Sequence, residues 1–129
     1  LDRNPWMMLT MATATTMLGV ERPPISVTAG PGPFSLADPE TTAELLTGAG
    51  FTDVDIRGVE APFVFEGDGT AAVERILGAG PLGGAFQAAD ESRRRDVIAA
   101  VLTAFQNYRG VGGYELPAAS WCLTAVRPG

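Results

Sequence analysis

Apolar residues recur along this chain in two rhythms, and most stretches are bracketed by the residues that start and stop the element they predict. The first stretch runs from Asn4-Pro5-Trp6 to Leu18. Asn4 suits an N-cap, Pro5 suits the first helical position where its missing N–H costs nothing, and Gly19 suits the stop. Trp6, Leu9 and Met17, with the small Ala12 and Ala14, supply the apolar surface of the predicted helix. Residues 20–35 follow as a Pro/Gly-rich connection, because closely spaced prolines and glycines break any regular element. Its length of about fifteen residues points to a functional loop or a cover over a pocket.

The clearest unit begins at Asp38. Asp38 caps, Pro39 opens the helix, and Glu40 places negative charge at the positive end of its dipole. Leu45, Leu46 and Ala49 form the expected buried stripe. Gly50 stands where a left-handed residue closes a helix, with Phe51 placed to fold back. Thr52 to Arg57 then alternates with period two, the mark of a half-buried strand. The strand extends towards Phe63 and Phe65, with Gly58 and Pro62 arguing for a bulge or an edge.

Further helices are predicted after Asp68, carrying Val73, Ile76 and Leu77, and after the Gly80-Pro81 break, carrying Leu82 and Phe86. A longer one starts near Asp90, with Val97, Ile98, Val101, Leu102, Phe105 and Tyr108 at helical spacing. Gly110–Gly113 ends it. Ala119 to Val126 is apolar on both faces and reads as a central strand. The pattern therefore predicts an α+β fold, mostly helical, with a two-stranded antiparallel pair held by helices on one face. The 129 residues are expected to form one domain, 1–129.

Charge narrows the functional classes. Fifteen acidic residues face nine basic ones, all Arg, for a net charge of −6. Nucleic-acid binding is not expected, since it needs a basic stripe that releases counterions. The run Arg93-Arg94-Arg95 sits among Asp90, Glu91 and Asp96 and reads as a solvated helix face. Membrane insertion is not expected either, because no apolar run reaches about 18 residues. An Arg-only, Ala/Gly-rich composition fits a GC-rich bacterial source.

The missing residue types limit chemistry further. Without His there is no Ser–His–Asp triad and no His-ligated metal, and no metal site is expected. The single cysteine, Cys122, has no internal disulfide partner, which points to a reducing, cytoplasmic setting. In the apolar run Trp121-Cys122-Leu123 it reads as a buried, inert thiol.

Three stretches taken in order resemble a known family. They are RNPWMML at the start, the block GPGPFSLADPETTAELLTGAGFTDVDIRGVEAPFVFEGD, and LPAASWCLTAVRPG at the end. Together they look like the C-terminal half of a class I S-adenosylmethionine-dependent methyltransferase, of the small-molecule UbiE/type 11 kind. Phe34 to Asp38, Gly50-Phe51 and Trp121 to Arg127 match in order and spacing. The resemblance implies a Rossmann-like parent fold, in which a helix, a Gly-Phe turn and a strand form the sixth strand unit. A last strand then inserts antiparallel into the sheet.

The family's cofactor site is not matched. Nothing here opens as strand–GxGxG–helix, and Gly30-Pro31-Gly32-Pro33 and Gly110-Val111-Gly112-Gly113 read as turns. S-adenosylmethionine is thus the cofactor of the full-length family, and none is expected for this chain alone. The chain is expected to be a substrate-side portion, inactive by itself, with no catalytic residue of its own.

In the family the corresponding segment builds the wall of the acceptor pocket. On that resemblance Trp6, Met7, Met11 and Phe34, with Met8 nearby, would face a small apolar or aromatic acceptor, since thioethers adapt to irregular surfaces. The same residues equally suit a plain hydrophobic core. Two alternatives stay open beside the methyltransferase reading. One is a self-standing module for an apolar ligand. The other is an oligomerisation module that pairs through exposed strand edges at 119–126 or 52–57, which predicts a homodimer or higher oligomer.

Overall fold

The computed structural model describes residues 2–23, 32 and 34–129. Among them are five α-helices and two long strands: α1 (Pro5–Leu18), α2 (Pro39–Gly48), β1 (Thr52–Glu66), α3 (Thr70–Ala79), α4 (Gly83–Ala88), α5 (Glu91–Ala104) and β2 (Gly113–Val126). A single 3-10 turn, Gln106–Tyr108, follows α5. The fold is α+β, mostly helical, with a two-stranded antiparallel sheet. The Pro/Gly-rich connection expected at 20–35 lies largely outside the described residues.

Helix boundaries follow the caps. Pro5 opens α1, and Gly19 closes it in the left-handed region at φ 68°. Asp38 caps α2 by accepting the backbone N–H of Thr41 at 2.9 Å. At its other end Gly50 takes φ 88°. The Gly50 N–H reaches the carbonyl of Thr47, and the Phe51 N–H reaches that of Leu46, both at 3.0 Å. That pair of bonds is the Schellman closure, which satisfies carbonyls the helix leaves open. Asp90 caps α5 through the N–H of Arg93 at 2.8 Å.

The chain falls into two compact units. One comprises the described residues of 24–61 together with Ala119–Gly129. It holds α2 and the part of the ribbon where Gly58 lies beside Trp121. The Trp121 indole N–H donates to the carbonyl of Ala37 at 2.7 Å, just ahead of α2. Phe34 and Thr42 are its buried residues, and Thr42 Oγ1 donates to the carbonyl of Asp38 at 2.8 Å.

Three expectations for this unit are corrected. Leu45, Leu46 and Ala49 do not form a buried stripe: Leu45 is 57% exposed, Ala49 is exposed and Leu46 is half-buried. Thr42 is the buried residue of α2, its hydroxyl turned to the carbonyls of Leu36 and Asp38. The last strand is not central, because β1 is its one neighbour in the sheet among the described residues. Cys122 is exposed rather than buried, as are Trp121 and Leu123.

The second unit, Asp2–Pro23 with Pro62–Ala118, contains the main core. Here α1 packs along α5, and α3 contacts α1, α4 and α5. The buried face of α1 is Met7, Thr10, Met11, Ala14 and Thr15, a helical stripe displaced from the one expected. Thr10 and Thr15 are tolerated there because each hydroxyl donates to a carbonyl one turn back, Thr10 to Trp6 at 2.6 Å and Thr15 to Met11 at 2.8 Å. Val97, Ile98, Val101 and Phe105 supply the matching stripe of α5 and its cap. Arg93 Nη2 donates to the carbonyl of Met17 at 2.7 Å, placing a cation against the negative end of α1.

β2 begins at Gly113, six residues before the expected start. After the buried Gly113 its residues alternate, with Tyr114 and Leu116 buried and Glu115 exposed. The Gly110–Gly113 turn is closed by the Gly110 N–H on the Gly113 carbonyl at 2.7 Å. The Gly67 N–H on the Gly112 carbonyl at 3.0 Å ties it to the end of β1.

Candidate functional site

Ring contacts give the second unit its most distinctive feature. Trp6 of α1 stacks on Phe63 of β1 with centroids 4.7 Å apart and planes within 13°. Phe63 meets Phe65 at 5.1 Å, Phe65 meets Phe105 at 5.2 Å, and Phe105 meets Tyr114 edge-on at 6.2 Å. Offset and tilted pairs of this kind hold by about 0.5–1.5 kcal/mol each beyond their burial. The series runs from the surface to the interior: Phe63 is 41% exposed, while Phe65 and Phe105 are fully buried.

Trp6 is fixed from two sides. Its indole N–H donates to Asn4 Oδ1 at 3.1 Å, and its ring lies on Phe63. Asn4 therefore spends its side chain on Trp6 rather than on the helix N–H groups, where none is capped by it. An indole held this way offers a rigid, flat apolar edge at little entropic cost.

Met7 and Met11 lie one turn apart on α1 and are both buried. With Thr10 they meet Ile76, Leu77 and the Gly80-Pro81-Leu82 corner around a small apolar niche. Its enclosed space is about that of one water molecule, well short of the ~300 Å³ at which small-molecule pockets begin. Phe34 is buried in the other unit. The structure thus gathers Trp6, Met7 and Met11 on one helix. Trp6 is half-buried at the aromatic stack, and the two methionines face inward.

Two charged groups of this unit, Asp68 and Arg109, lie at turns beside its strands. Hydrogen bonds from the Thr70 backbone N–H and then its hydroxyl hold the Asp68 carboxyl below its ordinary value, and nearby Arg109 adds to the effect. The Arg109 guanidinium sits 4.8 Å from the centre of the Tyr114 ring, a cation–π contact. A carboxylate held ionised in this way opens α3 and is the opposite of a general acid, which needs its proton at neutral pH.

Other sequence candidates resolve simply. Arg93 and Arg95 are exposed, in keeping with a solvated helix face. Gly110–Gly113 turns a helix into a strand and does not open a helix, so it lacks the N-terminal amides of a phosphate cradle. Gly30, Pro31 and Pro33 lie outside the described residues. Among the described residues there is no cluster of three or more Cys, Asp or Glu able to hold a metal ion. None of the helices among them is long and apolar enough to cross a membrane.

Sequence reading missed the aromatic series as a unit. Phe63 and Phe65 signal it by their period-two spacing, and Tyr114-Glu115-Leu116 repeats the signal in β2. Their convergence on Trp6 and Phe105 has no local signature. No family model, no curated protein and no solved structure matches this chain.

Proposed function

We propose that this chain is the substrate-side, C-terminal portion of an S-adenosylmethionine-dependent small-molecule methyltransferase, and that it transfers no methyl group by itself. The observation that carries the reading is the order and sense of its strands. A helix, a Gly50-Phe51 closure and β1 are followed by a final strand, β2, paired antiparallel with β1. The resemblance calls for a last strand that runs antiparallel and inserts between two others, and the antiparallel pairing with β1 supports the first part of that. The composition of β2 adds support: from Leu116 to Val126 it carries no charge, as strands flanked on both edges do. In this reading a further strand lies along β2, and S-adenosylmethionine is bound by the part that supplies it.

The acceptor side is Trp6 with Phe63, a flat apolar surface for a small apolar or aromatic molecule. Met7 and Met11 are buried on the same helix as Trp6, against Ile76 and Leu77, while Phe34 is buried in the other unit. Methyl transfer depends on aligning the acceptor with the methyl group, so a wall without its own nucleophile is chemically sufficient. A cytoplasmic, bacterial setting without nucleic-acid partners accompanies this reading.

Two measurements test it. Sequencing the gene on the 5′ side of the Leu1 codon is expected to reveal a strand, a Gly-rich loop and a helix. A start codon directly before Leu1, or an unrelated sequence there, overturns the proposal. Calorimetric titration of this chain with S-adenosylmethionine is expected to show no saturable heat. Saturable binding would overturn the placement of the cofactor site elsewhere.

The assembly reading rests on the ribbon itself, where Val59, Trp121, Leu123 and Val126 are exposed. It predicts a homo-oligomer through β2 or β1, and a strictly monomeric species at high concentration in sedimentation would reject it. The apolar-ligand reading needs more room than the niche beside Met7 and Met11, whose space is about that of one water molecule.

A further inference from the structure

We draw no further inference here: the strongest candidate, the uncharged strand segment Ser120–Val126 at the exposed end of β2, already belongs to the methyltransferase and assembly readings, and nothing in the structure shows what else covers it.

Discussion

Trp121 donates its indole N–H to the carbonyl of Ala37 across 2.7 Å, although 84 residues separate them in the chain. The bond ties the last strand to the segment that leads into α2. Trp121 also lies over Gly58, where an added Cβ would stand 3.4 Å from the indole ring. That is ordinary van der Waals contact, so the indole packs beside Gly58 without needing the position to lack a side chain. Trp121→Phe keeps an aromatic ring and loses the bond, so it is expected to cost about 1 kcal/mol. Urea denaturation, with hydrogen exchange following the amides of α2, checks this. Loss of protection confined to α2 is the expected pattern.

Two glycines with positive φ differ in what surrounds them. At Gly50 an added Cβ would meet nothing within 4 Å, so Gly50→Ala carries only the backbone cost of the left-handed region, about 1–2 kcal/mol. Gly113 has φ 148°, and a Cβ there would run into the carbonyl oxygen of Phe65. Gly113→Ala must therefore push the two strands apart where the main core begins. We expect it to cost more than Gly50→Ala by about 2 kcal/mol or more. Thermal unfolding of the two variants side by side checks the order.

Acid weakens the start of α2. Bonds from the Thr41 hydroxyl, and then from its backbone N–H, hold the Asp38 carboxyl below its ordinary value. A carboxyl whose folded pKa is depressed contributes stability above its unfolded value, about 3.9, and loses it as pH falls through the folded value. Asp68 follows the same rule at the start of α3, through Thr70. Asp38→Asn keeps a competent cap but does not titrate, so this part of the acid dependence is expected to vanish. Denaturant midpoints measured between neutral and acid pH would show it as a flatter profile for the variant. An unchanged slope would show that Asp38 is not its source.

The thiol of Cys122 is open to solvent in the folded chain. An aromatic disulfide reagent is therefore expected to label it fully without denaturant, at a rate that mild urea does not raise. Cys122→Ser, at an exposed position with no special contact, is expected to change stability by no more than about 0.5 kcal/mol. Slow labelling that follows global unfolding would place the thiol inside.

Much of the local architecture was legible in the residues. Asn4-Pro5, Asp38-Pro39 and Asp90 mark three helix starts, while Gly19 and Gly50-Phe51 mark two ends. These signals work because caps and closures act over a few residues of the same chain. Burial was less legible. The apolar run around Cys122 has the composition of an interior strand, yet the described neighbours leave it exposed. Leu45 has helical spacing and a hydrophobic side chain, but the one buried position of α2 is Thr42, against the turn that precedes the helix. Composition states what a residue would gain from burial, not whether a partner stands there to bury it.

The aromatic series shows the division most clearly. Spacing alone assigns Phe63 and Phe65 to a strand and Phe105 to the long helix; the strand holds both phenylalanines, and Phe105 caps the helix. Trp6, Phe63, Phe65, Phe105 and Tyr114 come from three elements and a helix cap spread over more than 100 residues, and only folding joins them. The chain by itself thus determined where the capped helices and the first strand begin, though not β2, because φ/ψ preference and i to i+4 hydrogen bonds are local. The tertiary structure decided which face each element buries and which aromatic rings meet, because those depend on contacts between residues far apart in sequence.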